Sequence, residues 1–184
     1  MTNRKTSERL KDMAWLLNDM IGDLKTPVDL LHIHRSELND QNFMSLARLL
    51  ASVSVINLCK FEEITKHYGK EIRHFPAELL EVVRSIKRVI ETRNMYRYRS
   101  QYIAHAFVEE KGSPKKPLSF AQSIDAMKGV LGYEGGDVHE CIFSFCSWIY
   151  DVDDDNSVVN VIYRLIKHID NEVGGLGSRY DHAL

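Results

Sequence analysis

Residues 46–59 read LARLLASVSVINLC, and the fold class turns on how this run is wound. Taken alone, residues 53–56, VSVI, could be a strand. The residues on either side keep a helical period, so the run predicts the centre of one long helix over 41–68. Asp40 is its cap and Gly69 its stop. The centre is apolar on most sides, which marks it as the most buried helix of the domain.

Upstream, Thr6 or Ser7 can cap a first helix to about Leu24. Leu10, Met13, Leu16, Leu17, Met20, Ile21 and Leu24 stand at helical spacing within it. Thr26-Pro27 is expected to break that helix and restart a short second piece carrying His32 and His34. Downstream, 70–75 reads as a connection, and Pro76 opens a helix with Leu79, Leu80, Val83, Ile86, Val89 and Ile90 on one face. Arg84, Lys87, Arg88 and Glu91 lie on the other. Residues 109–117, EEKGSPKKP, form the clearest loop. Ser119 and Gln122 make a capping box for a helix to about Leu131. A turn over 132–137 leads to an apolar helix ending near Tyr150. The loop 151–157, DVDDDNS, caps a last helix over 158–173, which Gly174 and Gly175 end. There is no internal repeat and no convincing strand. The expectation is one all-α helical bundle of about six or seven helices over 1–184, with its core at about 6–174 and a tail at 175–184.

The chain has 184 residues, 44% apolar and 27% charged, enough for one soluble domain with a sizeable core. The net charge of −2 hides an asymmetry. Residues 84–99 hold Arg84, Lys87, Arg88, Arg93, Arg97 and Arg99 against Glu91 alone. Residues 129–163 contain acids but no Lys or Arg. Such a split suits a basic face for an anionic partner. Three cysteines, Cys59, Cys141 and Cys146, point to reduced thiols and a cytoplasmic protein. The N-terminus lacks the apolar core of a signal peptide, and the apolar-leaning run 49–59 is too short to span a bilayer, so no membrane is expected.

Metal chemistry finds little support. The eight histidines show no metal-ligand spacing, and Cys141 and Cys146 fall on different helix faces. Asp151, Asp153 and Asp155 alternate like a calcium loop, but Asn156 replaces the turn glycine and Ile162 the closing glutamate. A solvated capping loop is the better reading. No metal and no cofactor are expected.

Chemistry concentrates in 93–108, RNMYRYRSQYIAHAFV. On a regular helix Met95, Tyr98, Tyr102, Ile103, Ala106 and Phe107 share an apolar arc, with Arg99 in its middle and His105 at its edge. A charge on that stripe needs a partner, a cavity or an interface. The phrase Arg99-Ser100-Gln101-Tyr102-Ile103-Ala104-His105 resembles the signature of HEPN domains, in particular prokaryotic abortive-infection and toxin-type members. Ser100 departs from the asparagine or aspartate common after the arginine.

The resemblance implies a metal-independent endoribonuclease whose two motif helices face one another in a homodimer. It also implies RNA as substrate and a cognate antitoxin protein as a further partner. In that reading His105 is the acid/base and Arg99 the phosphate stabiliser. Arg93, Arg97, Ser100 and Gln101 support them, and Tyr98 and Tyr102 pack the motif or stack on RNA. On a regular helix Arg99 and His105 stand about 120° and ~9 Å apart, so one helix alone makes a poor site and a facing copy a better one. The residues also allow a structural reading, with Arg99 paired to a carboxylate such as Glu62 or Glu63 and His105 hydrogen-bonded to a neighbouring helix. A non-catalytic interaction module is the alternative function. A further one has Tyr96, Tyr98 and Tyr102 accepting a transferred nucleotidyl group.

Overall fold

The computed structural model describes residues 4–35, 40–103, 107–108, 116–117 and 119–176. Over these the chain is an all-α bundle. Six long helices carry it: α1 (Arg4–His34), α2 (Asp40–His67), α4 (Ala77–Thr92), α6 (Phe120–Leu131), α7 (Val138–Ile149) and α8 (Val158–Val173). Two one-turn helices, α3 (Gly69–Ile72) and α5 (Met95–Tyr98), make the corners. Residues Phe107–Val108 (β1) and Lys116–Pro117 (β2) pair as a minimal antiparallel ladder.

Helix α1 is the spine, packing along both α2 and α8. It corrects one expectation, because Thr26-Pro27 does not end the first helix. Pro27 sits inside α1, and the buried stripe runs through it as Leu24, Val28 and Leu31. Proline removes one backbone donor. Here that loss is outweighed by burial of Val28 and Leu31 and by the Lys25–Asp29 ion pair one turn apart across the proline. Arg9 near the start of α1 donates to Glu71 on α3, which holds the Glu71 carboxyl below its ordinary value.

Helix α2 runs through 53–56 as the helical period requires. Ser54, Val55, Asn57, Leu58, Cys59, Phe61 and Glu62 are all buried. Asn57 donates to Val53 O and Thr65 to Phe61 O, so these polar side chains are satisfied within the helix. By length and mean hydropathy (1.4), Gln41–His67 could cross a membrane, a wider span than the run 49–59 suggested. Half of that apolar stretch is buried inside the bundle, which accounts for its composition. The helix ends without a left-handed glycine: Gly69 opens α3 instead.

The later boundaries follow local chemistry. Ser119 and Gln122 form the reciprocal capping box, and Gly132 closes α6 in the left-handed region at φ 76°. Asp137 caps α7 by accepting from His139 N at 2.8 Å. In the acidic loop the carboxylates of Asp151 and Asp154 accept from Asp153 N and Asn156 N. Asn160 of α8 donates to the carbonyls of Asp151 and Asp154. The loop is therefore a self-bonded helix entry. Cys59 and Cys146 are buried free thiols, and burial pushes them up to about 11 and about 12.

Leu17, fully buried on α1, and Leu49, 60% exposed on α2, give opposite expectations. Leu17→Ala should cost about 2–5 kcal/mol in chemical denaturation, whereas Leu49→Ala should stay within about 0.5 kcal/mol.

Candidate nucleic-acid interface

The basic, tyrosine-rich segment is divided by a corner. Helix α4 ends at Thr92, and Asn94 takes the left-handed conformation (φ 52°, ψ 39°), the only non-glycine residue to do so among those described. Asparagine tolerates that region better than most side chains. Asn94 N bonds back to Glu91 O at 3.0 Å, and a new turn begins at Met95. From Arg99 to Ile103 the chain is wound as a π-helix. A π turn inserts an extra residue per turn and shifts the helical phase. Regular α-helical geometry therefore does not hold over 99–103, and His105 lies outside the described residues.

Arg93 anchors the corner. Its Nη1 donates to Val130 O at 3.2 Å, and its guanidinium lies 5.5 Å from the Trp148 ring and 5.9 Å from that of Phe145. Burial lowers its pKa, opposed by Cys141 and Glu134. Gly132 leaves room for this group: a Cβ there would stand 2.6 Å from Arg93 Nη2. Arg93 thus ties the corner to the α6–α7 connection.

Beside this anchor lies a cavity of about 300 Å³. Arg93, Asn94, Arg97, Tyr98 and Tyr102 form one wall, and Gln122, Asp125, Ala126, Gly129 and Val130 of α6 form the other. Tyr98 is buried and Tyr102 half-buried, and their rings stack at 5.6 Å with 21° between planes. Arg97 is exposed and donates through Nε to Gln101 Oε1 at 2.9 Å. Ser100 donates back to Arg97 O at 3.2 Å.

Arg99 belongs to a different face. Its Nη1 meets Glu63 Oε1 of α2 at 2.9 Å, and its guanidinium lies 5.0 Å from the Tyr96 ring. The pair is part-exposed, at 35% for Arg99 and 53% for Glu63. Burial pulls the Arg99 pKa down, but the Glu63 hydrogen bond and the charges of Cys59, Glu63 and Tyr96 more than restore it, leaving it raised. Tyr96 Oη donates to Cys59 O at 3.2 Å, and burial followed by nearby Glu62 raises its pKa. With Tyr96 bonded and Tyr98 buried, two of the three motif hydroxyls are poorly placed as acceptors of a transferred group.

The sequence-predicted residues therefore separate. Arg93, Arg97, Tyr98 and Tyr102 share the cavity, Gln101 joins through Arg97, and Arg99 faces α2, paired to Glu63 as the structural reading allowed. Sequence reading missed the opposite wall. Gln122, Asp125 and Gly129 recur at helical spacing on α6, but nothing in that stripe says which helix it faces. Among the described residues no three of His, Cys, Asp or Glu gather to hold a metal ion. No protein-family model, curated protein or solved structure matches the chain. The likeness to the HEPN signature therefore stands on residues 99–105 and the all-α layout.

Gly132→Ala places a side chain in the left-handed region and against Arg93, with an expected loss of about 1–3 kcal/mol. In a double-mutant cycle with Arg93→Ala the two costs should couple by about 0.5–3 kcal/mol. Additive costs would mean that the guanidinium does not press on Gly132.

Proposed function

We propose that this chain is a HEPN-like, metal-independent endoribonuclease of a prokaryotic toxin or phage-defence system, acting as a homodimer through its motif segment. The observation that carries the RNA-binding part is the joint placement of Arg97, Tyr98 and Tyr102 on one cavity beside the α4–α5 corner. Arginine matches phosphate, and tyrosine rings stack on unpaired bases. Cleavage rests on the resemblance. The ribose 2′-oxygen bonds to the adjacent phosphorus, the 5′-oxygen leaves, and a 2′,3′-cyclic phosphate remains. His105 moves the proton and Arg99 stabilises the phosphate charge. A cognate antitoxin protein would restrain this activity in the cytoplasm.

The Arg99–Glu63 pair favours a second reading, a non-catalytic interaction module, because Arg99 is already neutralised within its own chain. Part-exposed ion pairs of this kind contribute only about 0–1 kcal/mol, so an RNA phosphate can displace Glu63. Glu63→Gln distinguishes the two. Release of Arg99 for phosphate should tighten RNA binding about two- to fivefold. Unchanged affinity with a slightly lower Tm would assign the pair to structure alone.

Cleavage is tested by incubating the full chain and His105→Ala with total RNA and a chelator, then mapping fragment ends. Chelator-resistant cuts ending in 2′,3′-cyclic phosphate are expected for the parent chain and not for the variant. Equal cutting by both would remove His105 from the mechanism. Intact RNA with both folded proteins would favour the binding module.

A further inference from the structure

We propose that the cavity between the α4–α5 corner and α6 is a pocket for one unpaired base, selective for guanine; this rests on the reading that the chain binds RNA. Its volume, about 300 Å³, is at the lower end for small-ligand sites and suits one base rather than a stretch of strand. The Tyr98–Tyr102 stack supplies an aromatic floor, with half-buried Tyr102 as the stacking surface. Arg97, exposed and steadied through Nε by Gln101, leaves its terminal guanidinium nitrogens for the phosphate attached to that base.

The opposite wall supplies selectivity. Gln122 Oε1 already accepts from Ser119 N at 3.1 Å and from Ser119 Oγ at 3.0 Å in the capping box. That leaves its Nε2 donors outside the capping box. Asp125, less than one turn further along α6, is acceptor-only when ionised. Both side chains are exposed and line the cavity, and together they can offer a base a donor and an acceptor pair. Guanine carries the complement: O6 accepts, while N1–H and the N2 amine donate side by side. Adenine and cytosine place an acceptor nitrogen next to a single amine, and uracil offers one N–H between two oxygens. Each of these sets at least one lone pair against the Asp125 carboxylate. Gly129 lines the same wall, and a Cβ there would stand in open space, so a larger side chain can be placed there without a clash.

The test is fluorescence anisotropy of the full chain with labelled pentamers UUGUU, UUAUU, UUCUU, UUUUU and an inosine version of UUGUU, in chelator and at low temperature. Asp125→Asn and Gly129→Leu are measured beside the parent chain, with far-UV circular dichroism to verify the fold. UUGUU should bind about tenfold tighter than the other standard pentamers, and inosine, which lacks the N2 amine, should lose most of that advantage. Asp125→Asn should abolish the preference by weakening UUGUU and tightening UUUUU, whose oxygens then no longer face a carboxylate, and Gly129→Leu should weaken UUGUU selectively by filling the cavity. Equal binding of all pentamers, or a guanine preference that survives in both variants, overturns the base pocket and leaves RNA binding standing. No binding of any pentamer overturns both.

Discussion

The guanidinium of Arg93 holds together the part of the molecule where chemistry is concentrated. It leaves the end of α4, donates to Val130 O of α6 and lies near the Trp148 and Phe145 rings of α7. A half-buried cation needs such surroundings, because its partial desolvation must be offset by a carbonyl and by ring faces. Gly132 completes the fit by combining a left-handed turn with the absence of a Cβ. One arginine and one glycine thus set the distance between the motif segment and α6. The cavity is the space that their contact leaves beside it.

The corner at Asn94 and the π turn after it determine which motif side chains act together. On a straight helix Arg99 would lie on the stripe of Tyr98 and Tyr102. In the folded chain Tyr98 and Tyr102 stay stacked at the cavity, and Arg99 turns to Glu63 and Tyr96. The segment therefore has two chemically different sides. One is aromatic and basic and open to a ligand; the other is an ion pair against α2. A charge on an apolar stripe has found both an intrachain partner and a part-exposed position, so its pairing is weak enough to exchange.

Much of the architecture could be read from residue order. Hydrophobic period alone separates helix from strand at 53–56. The Ser119 capping box and the glycines at 132 and 174 mark helix ends that the structure reproduces. Proline at 27 misled, because its local cost, about 3 kcal/mol or more in a helix interior, is outweighed by the buried stripe that continues through Leu24, Val28 and Leu31. Local propensity is short-ranged, and the apolar stripe that overrides it runs from Leu10 to Leu31, about six turns.

The sequence by itself determined the all-α class, the long helices and the concentration of Arg and Tyr in one segment, since each depends on neighbours within a few residues. Only the tertiary structure decided that Arg93 is an anchor, that Arg99 pairs with Glu63 thirty-six positions away, and that Gln122, Asp125 and Gly129 face Arg97 and Tyr102. These choices depend on how α2 and α6 pack around the corner. That packing is a sum of many side-chain contacts distant in sequence, and no local period encodes it.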